Sequence, residues 1–264
     1  MELALTIAGS DSGGGAGIQA DLKTFFSHGV YGMSVITSVT AQNTLSVLGV
    51  QNISEEMVYL QMKAVFEDLF PDAVKIGMVA TKEIIEVISK GLEEYKAEKI
   101  VLDPVMISKS GHRLLEKDAI KTLIEKLVPK AMIITPNREE AEVISEREIK
   151  NIEDMKKAAE DIAKLGCRAV LIKGGHIEGQ KATDVLYLGD DNFVFFEEEK
   201  INSKNTHGTG CTFSAAICAN LAKGFNIVKA VKYAKLYITR AIETSENIGR
   251  GWGPVNHFCI KFNN

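Results

Sequence analysis

The chain has 264 residues, and its 45% hydrophobic and 25% charged residues are the usual mixture of a globular protein. A net charge of −4 gives no overall field for nucleic acid or acidic membranes, and no apolar run is long enough to cross a bilayer. Four cysteines without a C-x-x-C pair, and an amino-terminal segment without the pattern of a secretory signal, favour a reduced compartment. We therefore expect a cytoplasmic protein with no nucleic acid and no membrane partner.

Along most of the chain a short apolar run is followed by a turn and then by an amphipathic segment of helical length. This alternation is typical of βα units stacked on a parallel sheet. The predicted strands cover residues 3–8, 31–40, 73–79, 99–104, 131–135 and 167–173. Predicted helices follow the glycine-rich turn 9–17, begin after the N-caps Ser54 and Thr81, and cover residues 139–144 and 152–165.

The last third of the chain departs from this alternation. Residues 183–188 and 193–196 are separated by the turn 189–192, which predicts an antiparallel hairpin at one edge of the sheet. Two helices are predicted after it, over about residues 210–222 and 228–244. Because no linker rich in Pro, Gly or Ser interrupts the chain, we expect a single domain over residues 1–264.

The first candidate site is the glycine-rich turn 9–17, between a predicted strand and a predicted helix. The dinucleotide fingerprint G-x-G-x-x-G is broken at Ile18, and no G-K-[ST] follows for a Walker loop, which disfavours a nicotinamide enzyme. One interpretation of the turn is a plain flexible connection. Several glycines behind Ser10 and Asp11 also suit a backbone that comes close to a small polar ligand.

The second candidate site is the loop 205–212, which runs into the predicted helix 210–222. Backbone N–H groups at a helix start, together with the positive end of the helix dipole, form a site for a phosphoryl group. The same position predicts that the pKa of Cys211 is shifted toward thiolate formation. Cys218, on about the same helical face, is expected to be a small core residue.

Ionisable residues lie at, or just after, the carboxyl ends of three of the predicted strands, where parallel sheets bind ligands. Asp103 and Glu140, with Asn137, suit Mg²⁺, which takes one or two carboxylates and keeps several waters. Glu140 can instead be a first-turn charge that stabilises its own helix. Lys173 is either a cation that contacts phosphate or an edge lysine that reaches solvent. The five histidines show neither metal-binding i,i+4 spacing nor a neighbouring G-x-S-x-G, which disfavours metallohydrolases and serine hydrolases.

Six motifs occur in order along the chain and together carry a family resemblance. They cover residues 6–21, 37–44, 103–106, 135–137, 206–212 and 253–258. With these motifs the chain resembles, over nearly all its length, the hydroxymethylpyrimidine/phosphomethylpyrimidine kinases of thiamin biosynthesis, in the ribokinase-like superfamily. The resemblance implies a three-layer α/β/α fold, with a mostly parallel central sheet flanked by helices and an antiparallel edge hairpin.

This family resemblance also implies an activity and a set of site residues. ATP would phosphorylate the hydroxymethyl group of 4-amino-5-hydroxymethyl-2-methylpyrimidine and then the resulting monophosphate, with Mg²⁺ as cofactor, small molecules as partners and a homodimer as the assembly. The residues implied for catalysis are Cys211, Gly208, Gly210 and Lys173. Those implied for the pyrimidine are Gln42, Gly9, Asp21, Met78 and Val105. Those implied for ATP are Asp103, Asn137, Lys173, Thr206 and Thr209, and the implied metal ligands are Asp103 and Glu140.

The side chain of Gln42 has an amide donor and an acceptor, which suits an aminopyrimidine edge with a ring nitrogen beside an exocyclic amine. Cys211 stands where ribokinase-like sugar kinases usually have an aspartate as general base, and the negative charge of ATP opposes a thiolate there. Two alternatives stay open: pyridoxal kinase activity, sole or additional, and a non-catalytic pyrimidine sensor. The presence of Cys211, Lys173 and Asp103 disfavours a sensor, which would not need groups for phosphoryl transfer.

Overall fold

The computed structural model describes residues 1–107, 111, 114–175 and 181–259, and within these a nine-stranded sheet forms the centre of the fold. The strands are β1 Leu3–Asp11, β2 Tyr31–Gln42, β3 Val47–Asn52, β4 Ala73–Ile76, β5 Ile100–Leu102, β6 Ile133–Ile134, β7 Val170–Ile172, β8 Lys181–Tyr187 and β9 Phe193–Glu199. Their order across the sheet is β3-β2-β1-β4-β5-β6-β7-β8-β9. The six central strands, β2, β1, β4, β5, β6 and β7, are parallel to one another. β3 at one edge and the hairpin β8–β9 at the other edge pair antiparallel.

Apolar side chains cover both faces of the sheet, because successive residues of a strand point to opposite sides. In β5, Ile100 and Leu102 belong to one buried cluster and Val101 belongs to the other. Every residue of β4, β5, β6 and β7 is buried. Strands buried on both faces have continuous apolar sequences, so they must be covered by helices on both sides.

Two groups of helices supply that cover in the described part of the chain. The helices are α1 Gly17–Ser27, α2 Glu55–Phe66, α3 Lys82–Glu94, α4 Lys117–Lys126, α5 Arg138–Ser145, α6 Ile152–Ala163, α7 Thr209–Ala222 and α8 Ile227–Glu243. Buried residues of α2 to α6 lie in one apolar cluster, and those of α1, α7 and α8 lie in the other. The predicted three-layer α/β/α fold with its antiparallel edge hairpin is confirmed.

Local signals placed several helix ends correctly. Ser54 Oγ accepts a hydrogen bond from the backbone N–H of Met57, 3.3 Å away, as expected of an N-cap. Thr81 caps α3 in the same way. Gly166, just beyond α6, has a φ of 109°, the left-handed conformation that commonly ends a helix.

Two elements, β3 and α4, were not predicted from the sequence. β3 is an edge strand of which every residue but Val47 is exposed, so it lacks the alternation of buried and exposed residues that marks a strand. α4 begins after Glu116, whose side chain makes no capping hydrogen bond, so the usual start signal is absent. No helix in the described residues is long and apolar enough to span a membrane.

The first strand is longer than predicted, and this changes the position of the glycine-rich turn. Ser10 and Asp11 still pair with Val39 and Thr40 of β2, after a register shift next to Gly9. The turn is therefore confined to the residues between β1 and α1. Conversely, β4, β5, β6 and β7 end earlier than predicted, because residues after them leave the sheet to line a cavity.

Candidate active site

A cavity of about 810 Å³ opens at the carboxyl ends of the parallel strands. All of the residues that the sequence assigned to the site line this cavity, with the exception of Asp21. They are Gly9, Gln42, Met78, Asp103, Val105, Asn137, Glu140, Lys173, Thr206, Gly208, Thr209, Gly210 and Cys211. Seven separate segments of the chain therefore meet in one place, as ligand binding at the carboxyl edge of a parallel sheet requires.

The loop before α7 has the geometry of an anion site. Gly208 is the N-cap of α7 and has a φ of 76°. A side chain at Gly208 would collide with the carbonyl oxygen of Gly15, so the loop packs directly on the glycine-rich turn. Amides in the first turn of a helix have no helical carbonyl to bind, and those of Gly210 and Cys211 therefore can bind an anion in the cavity.

An ion pair between a partly buried lysine and a buried aspartate lies beside this helix start. Lys173 Nζ donates to Asp103 Oδ1 at 3.0 Å, and Ser214 Oγ donates to Asp103 Oδ2 at 3.1 Å. A Cβ atom on Gly210 would be 3.4 Å from Lys173 Nζ, which places the ammonium next to the loop. Burial raises the pKa of Asp103, but the charges of Lys173 and Lys75 and the hydrogen bonds from Lys173 and Ser214 together outweigh it, so the net pKa is lowered. The side chain of Asp103 is thus a carboxylate that holds Lys173 in position.

Asn137 and Glu140 have a structural role as well as a place in the cavity. Asn137 Oδ1 accepts from the backbone N–H of Glu140 at 2.9 Å, and Glu140 Oε2 accepts from that of Asn137 at 2.8 Å. These two bonds form a capping box at the start of α5. Burial raises the pKa of Glu140 to about 7, with a further rise from Asp103 against the opposing charge of Lys173. The interpretation of Glu140 as a helix cap is therefore confirmed, and its role as a metal ligand stays a prediction for a residue that lines the cavity.

The glycine-rich turn is held together by Asp11, to which the sequence pattern assigned no specific role. Its carboxylate accepts from the backbone N–H groups of Gly13, Gly15 and Ala16. His207 Nε2 lies 2.8 Å from Asp11 Oδ2 and so ties the turn to the loop before α7. His207 was missed because it has no metal-binding spacing; its place inside the motif 206–212 was the available signal.

Asp21 does not line the cavity, and the expectation that it binds the pyrimidine is wrong in this structure. Its side chain is fully buried and paired with Lys75, with a distance of 2.8 Å between Nζ and Oδ2. Thr6 Oγ1 donates to the same oxygen at 2.6 Å. All of the acceptor groups of Asp21 are therefore directed into the protein. The sequence signal for its partner was a single lysine, Lys75, inside the apolar strand β4.

The pKa of Cys211 also differs from the expectation. Burial raises the pKa of this thiol to about 11, and the negative charges of Asp21 and Asp103 act in the same direction, while Lys75 opposes them. The predicted shift toward thiolate at the helix start is therefore wrong for the protein without substrates. Cys218, by contrast, is completely buried in the apolar cluster around α7, where a core residue was expected.

The cavity has two carboxylates that suit a hydrated Mg²⁺. Among the described residues there is no group of three or more His, Cys, Asp or Glu side chains that could hold a metal ion by themselves. Mg²⁺ in phosphoryl-transfer sites needs only one or two carboxylates, with waters and substrate phosphates as its other ligands. The oxygens of Asp103 already accept hydrogen bonds from Lys173 and Ser214, so a water-mediated contact fits this carboxylate best.

Comparisons with known proteins identify relatives of this chain. The family model for phosphomethylpyrimidine kinase matches residues 11–256. A hydroxymethylpyrimidine/phosphomethylpyrimidine kinase of Rhizobium meliloti is 52% identical, and the match covers 97% of each chain. The crystal structure of a phosphomethylpyrimidine kinase from Clostridium difficile is 50% identical, covers 92% of this chain and 100% of its own, and superposes with a TM-score of 0.82. A Bacillus subtilis pyridoxal kinase in an ADP complex is 41% identical, covers 98% of both chains and superposes with a TM-score of 0.90. The chain belongs to the phosphomethylpyrimidine kinase family.

Proposed function

We propose that this protein phosphorylates 4-amino-5-hydroxymethyl-2-methylpyrimidine and then its monophosphate, with ATP as phosphoryl donor, in thiamin biosynthesis. The observation that carries the proposal is that one cavity contains both the Gln42 amide and the helix start at Gly208 to Cys211. The first can bind a pyrimidine edge, and the second can bind the transferred group. The names of relatives such as the Rhizobium meliloti kinase support this assignment.

The phosphate end of the cavity acts through position and charge. In a loose phosphoryl-transfer transition state the protein mainly orients the groups and stabilises negative charge. The amides of Gly210 and Cys211 bind oxygens of the transferred group, and the ammonium of Lys173 lies beside them. Because Asp103 already holds Lys173 at 3.0 Å, the ammonium does not need to be ordered when ATP binds.

The pyrimidine end of the cavity recognises the acceptor molecule. Met78 and Val105 provide apolar walls, and the backbone at Gly9 allows the flat ring to approach. The Gln42 amide pairs with the ring nitrogen and the exocyclic amine. The hydroxymethyl group, which is next to the amine on the ring, then points toward Cys211 and the loop before α7.

The remaining lining residues bind ATP and its metal. Thr206 Oγ1 is a buried hydroxyl without a hydrogen-bond partner among the described residues, and a phosphate oxygen would satisfy it. Asn137 uses Oδ1 as a helix cap, so its amide nitrogen is the group left for the nucleotide. Thr209 lies in the first turn of α7, among the amides that face the phosphates. Asp103 and Glu140 would hold Mg²⁺, which would supply positive charge to offset the negative charge of the phosphates.

Cys211 is the proposed proton acceptor for the hydroxymethyl group. With a pKa of about 11, the thiol is protonated in nearly all molecules at neutral pH. A loose transition state has little bond formation to the attacking oxygen, so proton transfer is late and a small thiolate fraction is sufficient. The reaction therefore proceeds from the minority of molecules in which Cys211 is ionised, and this fraction grows with pH.

Pyridoxal kinase activity is a second candidate, and the similarity to Bacillus subtilis pyridoxal kinase favours it. Pyridoxal also has a hydroxymethyl group on an aromatic ring, so the phosphate end of the cavity suits both molecules. A side-by-side assay with the aminopyrimidine and pyridoxal distinguishes a sole from an additional activity. A pyrimidine sensor without catalysis would be indicated if neither acceptor, with ATP and Mg²⁺, yields ADP.

The experiment that tests the main proposal is a product assay by mass spectrometry. The purified protein is incubated with ATP, Mg²⁺ and the hydroxymethylpyrimidine, and the mono- and diphosphate are followed over time. We expect the monophosphate to appear first and the diphosphate to follow. Absence of both products, with a folded protein that binds ATP, would contradict the proposal.

The assembly and the compartment are part of the same proposal. We assign a homodimer to the protein, and the exposed apolar side chains Leu48 and Val50 on the edge strand β3 support a contact with a second copy. Sedimentation velocity tests this assignment. We also assign the protein to the cytoplasm, in line with four cysteines that form no disulfide; cell fractionation tests it.

A further inference from the structure

The orientation of the Gln42 amide is determined by its two neighbours in the cavity wall. In the structure, Gln42 Nε2 lies 3.3 Å from His207 Nε2, and Gln42 Oε1 lies 3.4 Å from Thr40 Oγ1. Thr40 and His207 are both buried, so water does not separate these groups. A terminal amide can rotate by 180°, which exchanges its oxygen and nitrogen at almost the same positions.

His207 Nε2 must carry a proton, because it lies 2.8 Å from a carboxylate oxygen of Asp11. A carboxylate can only accept hydrogen bonds, and an imidazole nitrogen without a proton would face it as a second acceptor. Burial raises the pKa of Asp11, but the hydrogen bond and charge of His207, together with the backbone N–H groups of Gly13 and Ala16, outweigh it, so the net pKa is lowered and Asp11 is ionised. Nε2 of His207 is therefore a donor in both the neutral and the charged imidazole.

A donor at His207 conflicts with an amide nitrogen at 3.3 Å, because neither atom can accept. The other end of the amide conflicts as well. Thr40 Oγ1 has one proton, which it donates to the carbonyl oxygen of Ser10 at 2.9 Å, so it has none for Gln42 Oε1. Rotation of the amide removes both conflicts: the nitrogen then donates to Thr40 Oγ1, and the oxygen, rather than a second donor, lies beside the His207 N–H, whose single proton Asp11 accepts.

We propose that His207 is a specificity-determining positioning residue that holds the Gln42 amide with its oxygen toward the loop before α7 and its nitrogen toward Thr40. Gln42 then presents an acceptor on the His207 side and a donor on the Thr40 side. The imidazole is firmly placed for this task. Its backbone N–H bonds the carbonyl of Gly253 at 3.0 Å, and a side chain at Gly15 would collide with the ring.

This order of acceptor and donor matches the substrate of the proposed function, on which the inference rests. In the aminopyrimidine the amine lies between the hydroxymethyl group and the ring nitrogen. Because the hydroxymethyl group must point to the loop that contains His207, the amine meets the acceptor and the ring nitrogen meets the donor. The corresponding lactam, 5-hydroxymethyl-2-methylpyrimidin-4-one, has a carbonyl and a ring N–H at these positions, which is the opposite pattern. A fixed amide binds the amine and rejects the lactam.

The test measures dissociation constants of both molecules by isothermal titration calorimetry, without turnover. We expect the unmodified protein to prefer the amine by about 100-fold, because the lactam leaves two polar pairs unsatisfied. His207→Leu frees the amide to rotate, so the preference falls below about tenfold. His207→Gln keeps an N–H donor near Asp11, so we expect this variant to retain most of the preference for the amine. His28→Gln is the matched control, since His28 bonds the Thr24 carbonyl outside the cavity and the preference is expected to be unchanged.

Several outcomes would overturn the inference. They are a wild-type protein that does not prefer the amine, or a folded His207→Leu protein that keeps the full preference. If His207→Leu fails to fold, Thr40→Val decides: it removes the acceptor at the other end of the amide, and an unchanged preference rejects the inference. The product assay distinguishes failure of the proposed function from failure of this inference. A clear preference for the amine without phosphorylated product would contradict only the proposed function.

Discussion

At the scale of single residues, the pyrimidine pocket depends on Gln42. Replacement of Gln42 by Ala removes two hydrogen bonds to neutral groups, and we expect pyrimidine binding to weaken by about 1–3 kcal/mol. Calorimetric titration measures the change. Gln51→Ala, an exposed position on β3, is the control and is expected to bind normally. An unaltered dissociation constant in Gln42→Ala would show that Gln42 does not pair with the edge of the pyrimidine.

The role of Cys211 is tested by the pH dependence of the chemical step. Its pKa of about 11 reflects burial first and then the charges of Lys75, Asp21 and Asp103 around it, with Lys173 also nearby. Below this pKa the thiolate fraction rises about tenfold per pH unit. We expect the single-turnover rate of the wild-type protein to rise with pH between 6 and 9.

Two substitutions at Cys211 separate the effect of thiol ionisation on the rate from a structural effect. Cys211→Ala is expected to lower the rate strongly and to abolish its rise with pH, with little change in pyrimidine binding. Cys211→Ser keeps the size of the side chain but ionises only at much higher pH, so it is expected to resemble Cys211→Ala. If Cys211→Ala turns over at the wild-type rate, Cys211 has no part in the mechanism.

At the scale of elements, the contact between the glycine-rich turn and α7 depends on Gly208. Gly208→Ala places a side chain against the carbonyl of Gly15 at a φ of 76°. We expect a loss of about 2–3 kcal/mol of unfolding free energy, together with weaker ATP binding, because the helix start is displaced. Urea unfolding and the KM for ATP measure the two effects.

The control for Gly208 is Gly29, which has a similar φ of 69° but no atom within 4 Å of the position that a Cβ would occupy. Gly29→Ala therefore has the backbone strain without the collision. We expect it to cost about 1 kcal/mol of stability and to leave ATP binding unchanged. Equal effects of the two substitutions would show that the contact between the turn and the loop has no special role.

The helices and strands also differ in how well the sequence predicts them. β1, α2 and α3 were predictable because a strand buried on both faces is a continuous apolar run and because Ser54 and Thr81 have the chemistry of N-caps. β3 was not, because its stability comes from pairing with β2 and not from burial of its own side chains. The lengths of β5 to β7 were overestimated, since an apolar run does not reveal where a strand leaves the sheet.

At the scale of the whole molecule, His257 connects the carboxyl-terminal segment to the core and makes stability depend on pH. It is buried, and Nε2 lies 3.0 Å from Thr212 Oγ1 of α7. Burial lowers the pKa of His257 to about 4 from an ordinary value of 6.5. The unfolded chain therefore binds a proton at a pH where the folded protein does not, and acid favours unfolding.

Between pH 7 and pH 5, His257 is expected to lower the unfolding free energy by about 2 kcal/mol, whereas protonation of Glu140, whose pKa is raised, acts in the opposite direction. Chemical denaturation at the two pH values measures it. In His257→Gln, which keeps a polar side chain that does not titrate, the decrease is expected to be smaller by this amount. An equal decrease in both proteins would mean that His257 is solvated in the folded state.

The sequence by itself determined the family, the alternation of strands and helices and nearly all of the residues that line the cavity. Spacing, apolar runs and motifs are local properties, and the strand ends bring motif residues to one edge of the sheet. That the whole chain forms one domain stays a prediction. Only the tertiary structure decided that Asp21 is buried against Lys75, that burial raises the pKa of Cys211, and that His207 lies between Asp11 and Gln42. These properties depend on which distant segments pack together and exclude water, because burial and the charges of neighbours control ionisation and hydrogen bonding.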